Sequence, residues 1–186
     1  MITTNDLKNG MTVIYDGTLF EVLYFQHVKP GKGGAFVRTK LKNLNTGAII
    51  EKTFRAGEKI EQAILETKKM QYLYHDEHYN FMDNETYEQI PISREQIGDR
   101  ERFLIENVEV TMVFYKGQPI SIELPTTIDA KVVITGPGVK GDTVGQSYKP
   151  AEIETGTKIQ VPLFINEGDI IRIDTRTGEY VTRVSK

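Results

Sequence analysis

The 186-residue chain has no cysteine and only three histidines. Without cysteine there is no disulfide, no thiolate zinc site and no cysteine nucleophile. No stretch approaches the roughly 18 consecutive apolar residues that a membrane-crossing helix needs. Met1 to Gly10 carries Asn5, Asp6, Lys8 and Asn9, with neither the apolar centre nor the small-residue cleavage site of a secretory leader. A cytoplasmic protein with no membrane partner is expected. His75 and His78 flank Asp76 and Glu77, but His27 is far away in sequence, so this stretch is expected to be a solvated acidic turn rather than a metal site. No nucleophile motif such as GxSxG occurs. Neither a catalytic residue nor a bound metal is expected.

The net charge of −3 argues weakly against a nucleic-acid binder, but its distribution is uneven. The chain is long enough for two or three small domains. Cut near residues 64 and 127, it gives segments 1–64, 65–127 and 128–186 with net charges of +3, −6 and 0. Within the first segment, His27 to Lys59 holds eight basic residues against Glu51 and Glu58. Such a stripe can meet phosphate while the rest of the chain is acidic. By charge alone, a solvated, salt-bridged sheet face is the better reading.

The texture is β throughout: short runs of Val, Ile, Tyr, Phe and Thr broken by Gly, Asn, Asp and Pro. Strands are expected at Thr12–Tyr15, Leu19–Val28, Ala35–Leu44 and Ala48–Phe54, with Phe36, Arg38, Lys40 and Lys42 on one face of the third. Closely spaced strands without helices between them point to a small barrel. Around Gly57 to Thr67 the pattern blurs, because Ile60, Ala63 and Ile64 have helical spacing without a cap. Strands resume with Met70, Tyr72 and Tyr74, and return through Tyr79 to Asp83. Ser93-Arg-Glu-Gln96 reads as a capping box with Ile92 and Ile97 as its staple, opening a helix expected to reach about Ile105. Strands follow at Val108–Tyr115 and Ile120–Leu124, and then at Lys131–Thr135, Thr157–Ile165, Asp169–Asp174 and Glu179–Val184. The second and third segments each have the size and texture of a five-stranded OB-type barrel. The eight Phe and nine Tyr fall mostly at alternating strand positions, which makes them core residues first.

Two loops stand out. Lys29-Pro30-Gly31-Lys32-Gly33-Gly34 lies between two long strands. Glycines on both sides of Lys32 remove bulk, and Pro30 stiffens the entry. A lysine isolated in this way is a poor stabiliser but a good probe, phosphate contact or modification target. The alternative is an ordinary hairpin turn carrying a solubilising lysine. The second loop, Gly136-Pro-Gly-Val-Lys-Gly-Asp-Thr143, fails as a nucleotide-binding loop. Gly141 is followed by Asp142 where the phosphate-loop pattern requires lysine, and no helix follows. It is either a structural connection or a loop offering backbone amides and Thr143 to RNA.

The order of these motifs is more specific than any one of them. HVKPGKGGAFVRTKLKNLNTG (27–47) followed by EKTFRAGEK (51–59) resembles the first domain of bacterial elongation factor P. MQYLYHDEHYNFMDNETYEQIPI (70–92) resembles its second domain. GPGVKGDTVGQSYKPAEIETGTKIQVPLFINEGDIIRIDTRTGEYVTR (136–183) is similar to its third. The resemblance is collinear over essentially the whole chain. It implies an all-β protein of three small barrels, an SH3-like (KOW-type) barrel followed by two OB folds, in an L-shaped, tRNA-like arrangement.

The resemblance also implies a function. Such a monomeric factor binds the ribosome, including ribosomal RNA of both subunits, beside P-site peptidyl-tRNA. It relieves stalling at consecutive prolines. Lys32 then points toward the peptidyl-transferase centre and carries a covalent extension added by a lysine-modifying enzyme, with no dissociable cofactor. Gly141, Asp142 and Thr143 match the loop that reaches the E site on the small ribosomal particle and its mRNA. Val144 stands where many members have Ala, a small departure bearing only on loop contacts. Lys40, Lys42, Tyr180 and Arg183 are the further RNA-contact candidates. Two neighbouring readings are the elongation-factor-P-like paralogue, against which the PGKGG tip speaks, and a general OB-fold RNA-binding module, against which the three-domain order speaks.

Overall fold

The computed structural model describes residues 1–138 and 147–186. Three antiparallel sheets account for nearly all of the regular structure, as the alternating patterns require. Among the described residues no helix is long and apolar enough to cross a membrane. The chain divides into two compact units, residues 1–67 with 113–121 and residues 68–112 with 122–186.

The first sheet holds β1 (Ile2–Thr3), β2 (Thr12–Tyr15), β3 (Thr18–Val28), β4 (Phe36–Asn43), β5 (Ile49–Arg55) and β6 (Lys59–Ala63), in the order β1-β6-β2-β3-β4-β5. The turn between β2 and β3 is Asp16-Gly17, and both residues have positive φ (51° and 73°). This is the Asp-Gly chemistry of a two-residue hairpin whose twist matches its strands. Alternate residues Val37 and Leu41 of β4 pack with Val13, Phe20, Val22 and Phe54 into one core.

Residues 59–63 resolve part of the stretch where the sequence pattern blurs. The helical spacing of Ile60, Ala63 and Ile64 belongs to β6, which pairs with β1 on one side and β2 on the other. Ile60 and Ala63 are buried, while Ile64 is 80% exposed, so no third residue completes a helical face. Pairing with strands distant in sequence overrides the local spacing.

The second sheet contains β7 (Glu66–His75), β8 (Tyr79–Asp83), β9 (Gln89–Ile92), β10 (Glu109–Tyr115) and β11 (Gln118–Glu123), ordered β11-β10-β7-β8-β9. Between β9 and β10 runs α1 (Arg94–Ile97). Its capping box forms as expected: Ser93 Oγ accepts from the Gln96 amide at 3.3 Å, and Gln96 Oε1 accepts from the Ser93 amide at 3.3 Å. Ile92 and Ile97 are both buried.

The helix does not run to Ile105. Gly98 takes φ 56° and ψ −139°, which ends the α-helical winding, and a 3-10 helix continues from Gly98 to Phe103. That tighter segment delivers Phe103 into the core of the next barrel, beside Ile128, Ala130, Val132 and Ile171. The Arg102 carbonyl accepts from Thr155 Oγ1 at 2.6 Å and Thr157 Oγ1 at 2.9 Å, tying the residue before Phe103 to that barrel.

The third sheet comprises β12 (Thr127–Thr135), β13 (Tyr148–Ile153), β14 (Lys158–Pro162), β15 (Ile170–Asp174) and β16 (Glu179–Ser185), in the order β14-β13-β12-β15-β16. Its outer strands β14 and β16 approach each other, so the sheet curls toward closure.

Candidate functional site

β3 and β4 are long for strands in so small a barrel. They remain paired out to Val28 and Phe36, and Lys29 to Ala35 forms the tip beyond that pair. The Ala56 amide donates to the Ala35 carbonyl at 3.1 Å and closes the base of the tip. Gly33 has φ 103°, a conformation open to glycine and strained for other residues. A methyl group added at Gly31, Gly33 or Gly34 would meet nothing within 4 Å. Lys32 is exposed, and among the described residues no side chain hydrogen-bonds or pairs with it. Lys29 is also exposed and Pro30 is half-buried.

Behind the tip, the basic stripe separates by strand alternation. Val37, Thr39 and Leu41 are buried, which turns Arg38, Lys40 and Lys42 to the other side of β4. Lys40 pairs loosely with Glu51 at 3.9 Å, and the Arg38 guanidinium lies 5.5 Å from the Phe36 ring centre. Lys52 leaves the stripe: its ammonium sits 4.8 Å from the Tyr15 ring centre. The hydrogen bond with Tyr15 holds its pKa above the usual lysine value. The stripe is therefore not one uniform salt-bridged face.

The third barrel presents the other candidates. Gly141, Asp142 and Thr143 lie outside the described residues. The start of their loop is nevertheless pinned. Lys149 is only 7% exposed and donates from Nζ to the Gly136 carbonyl at 2.6 Å. Thr135 Oγ1 donates to the Pro150 carbonyl at 3.0 Å, and Gly138 packs so closely on the Leu163 carbonyl that no Cβ would fit. Sequence reasoning passed over Lys149, although it stands in step with the inward positions Ala151 and Ile153.

Tyr180 and Arg183 share β16. Tyr180 packs against the core, and burial raises its phenol pKa above the ordinary value. Arg183 Nη1 lies 3.8 Å from Oδ2 of Asp169, which is 4% exposed, and the guanidinium lies 5.1 Å from the ring centre of Phe164. Phe164 is 55% exposed and Tyr148 is exposed too; neither was expected from the sequence. Tyr24, Tyr74 and Tyr87 are further exceptions to the rule that the aromatics are core residues.

The sequence 75–78 forms the expected turn. Asp76 Oδ1 accepts from the His78 amide at 2.9 Å and from Asn80 Nδ2 at 3.2 Å, and the first of these bonds leads in holding the carboxyl below its usual pKa. The His75 ring stacks on Tyr79 at 5.3 Å. These contacts give both residues structural work.

Comparison with known proteins covers the whole chain. Residues 3–60 match the elongation factor P KOW-like domain, residues 65–122 the elongation factor P OB domain, and residues 128–183 the elongation factor P C-terminal domain. Elongation factor P of Symbiobacterium thermophilum is 58% identical over 98% of this chain and 100% of its own length. That of Coprothermobacter proteolyticus is 57% identical over 99% and 100%. Among solved structures, a translation initiation factor 5A from Methanococcus jannaschii aligns with a TM-score of 0.55 and 27% identity, covering 66% of this chain and 91% of that one. The all-β architecture is thus a KOW-like barrel followed by two OB-type barrels, and the chain belongs to the elongation factor P family of translation elongation factors.

Proposed function

We propose that the protein binds the ribosome beside P-site peptidyl-tRNA and stimulates peptide-bond formation at consecutive prolines by positioning the tRNA acceptor end. The observation that carries this reading is the lysine at the end of a long β-arm, flanked by glycines and without a partner among the described residues. A side chain with no structural work is free to reach a distant target. Proline's ring restricts its backbone, and a proline-rich nascent chain can leave the P-site ester badly aligned. Ordering the acceptor end restores a reactive geometry without an acid, base or metal from the factor. Positioning of this kind supplies about 3–7 kcal/mol if part of the intramolecular limit is realised.

In this reading a modifying enzyme extends Lys32 covalently, lengthening its reach. Lys29, Pro30, Gly31, Gly33 and Gly34 shape the tip, and Lys40 and Lys42 meet RNA phosphate. Asp142 and Thr143 face the E site on the small ribosomal particle, and Tyr180 and Arg183 face the anticodon arm. The factor works as a cytoplasmic monomer, with working domain limits 1–64, 65–127 and 128–186. The test is peptide-bond formation on a Pro-Pro-Pro message with Lys32→Ala and Lys32→Arg, using a proline-free message as control. Both variants should lose stimulation on the proline message alone; full activity of the alanine variant overturns the reading. Asp142→Ala combined with Thr143→Ala should reduce rescue while leaving the circular dichroism spectrum unchanged. Unaltered rescue returns that loop to a structural connection.

A further inference from the structure

A cavity of about 640 Å³ opens within the second compact unit, where the second and third barrels meet. β7 supplies Tyr72 and Tyr74 to its wall, and the turn 154–157 between β13 and β14 supplies another part of it. The segment carrying Arg102, Leu104 and Ile105 joins them, and its Arg102 carbonyl is the atom that Thr155 and Thr157 hold. The volume suits a small organic molecule. Nothing in the proposed role of Lys32 uses this cavity.

The polar groups of the wall are unequally engaged. Tyr79 Oη donates to Glu101 Oε2 at 2.6 Å, and Arg94 Nε donates to the same oxygen at 3.3 Å, so these three satisfy one another. Arg102 donates from Nε to the Asp99 carbonyl at 3.2 Å, and its guanidinium lies 5.0 Å from the Phe103 ring centre. Both arginines therefore have partners. The other two carboxylates do not: neither Glu106 nor Glu154 forms an ion pair among the described residues. Glu154 Oε1 accepts from the Lys131 amide at 2.9 Å, which steadies the side chain and leaves its second oxygen to the solvent. Tyr72 is only 5% exposed, and its hydroxyl has no hydrogen bond among the described residues. No fully buried side-chain oxygen goes without a partner there, so what remains accessible of Tyr72 includes its hydroxyl, open to the cavity. Burial, with Tyr79 and Glu106 close by, pushes its pKa up to about 12, and the group stays an uncharged hydroxyl. A hydroxyl so nearly withdrawn from water is costly to leave unpaired.

From this arrangement we infer that the cavity binds a small organic cation, one ammonium group on an apolar stem. An ammonium is all donor, and Glu106, Glu154 and the Tyr72 oxygen are the acceptors left over for it. Aromatic faces attract the same charge, and Tyr74 stands 51% exposed at the cavity. Leu104 and Ile105 offer the stem an apolar bed. An anion fits less well, because three carboxylates line the wall against two arginines that are already engaged. The wall comes from both barrels, so an occupant touches both and stabilises the junction that Arg102, Thr155 and Thr157 make.

The experiment is amide chemical-shift mapping on the full-length protein at constant ionic strength. The protein is titrated separately with 2-phenylethylamine, the uncharged 2-phenylethanol and the anionic 3-phenylpropanoate. The amine should shift Tyr72, Tyr74 and Glu106 together with Thr155 and Gly156, and should bind more tightly than the other two. Glu106→Gln combined with Glu154→Gln should weaken the amine by about fivefold, the size expected for two solvent-facing ion pairs, and should leave the alcohol unaffected. Tyr72→Phe keeps the ring and removes the hydroxyl, so it should weaken the amine by about fivefold as well. Glu85→Gln combined with Glu88→Gln removes the same charge at a distant turn and should change nothing, because exposed charges beyond about 10 Å are screened. The site is refuted if none of the three compounds shifts these amides, if the shifts stay within one barrel, or if the alcohol or the anion binds there as tightly. It is refuted equally if the Glu106 and Glu154 double variant binds the amine like the parent. The readout uses no ribosome, so its failure leaves the Lys32 translation result standing.

Discussion

The arm tip and the third barrel treat their charged residues in opposite ways. At the tip, Lys32 is surrounded by open space and touches nothing among the described residues. In the third barrel, Lys149 is buried against a carbonyl, and Arg183 lies between a buried carboxylate and an aromatic ring. A charge with internal partners contributes to the fold, so its substitution mixes stability with function. A charge without them separates the two. The tip is therefore where a functional effect can be measured cleanly, and the third barrel is where loss of activity has to be checked against loss of structure.

The largest stability effect should come from Phe103, which fills the third barrel's core although the chain delivers it from the 3-10 helix before β10. Phe103→Ala should cost about 3–5 kcal/mol in chemical denaturation. A loss below about 1 kcal/mol would mean that the plug is dispensable and that the third barrel is less firmly pinned than its contacts imply. Next comes Lys149→Ala. It removes a charge-assisted hydrogen bond and leaves the Gly136 carbonyl without it, at a cost of about 1.5–3 kcal/mol. An unchanged midpoint would break the contrast with Lys32, since a buried and a bare lysine would then count alike. Smaller again is Arg183→Ala, expected to cost about 1 kcal/mol, because the pair is long and the arginine partly solvated. Arg183→Lys tests the ring contact: it keeps the charge but not the planar guanidinium, so a partial loss is expected.

What was legible in the sequence follows from what local pattern can carry. β8 is bounded where its alternation begins and ends, and the Asp16-Gly17 turn announces itself by residue type. The capping box at Ser93 was legible for the same reason. The end of that helix was not, because the spacing beyond Gly98 suits a 3-10 segment as well as an α-helix. β6 was hidden because its partners β1 and β2 lie some fifty residues upstream. The register slip between Val22 and Tyr24 in the β3–β4 pair is invisible in a period-two reading, which puts Tyr24 in the core. Lys32 could be singled out from glycine and proline alone. The settings of Tyr180 and Arg183 could not, because Asp169, at the start of the neighbouring strand, and Phe164 lie fourteen and nineteen residues from Arg183 in sequence.

The smallest expected stability effect carries the central claim, that Lys32 serves function and not folding. The most direct measurement pairs two readouts on Lys32→Ala: chemical denaturation and peptide-bond formation on a Pro-Pro-Pro message. The account predicts a stability within about 0.5 kcal/mol of the parent, as for a surface residue without partners, together with loss of stimulation on the proline message and none on the control. A variant that stimulates proline synthesis as well as the parent, or that loses activity only in proportion to a lost stability, would contradict it.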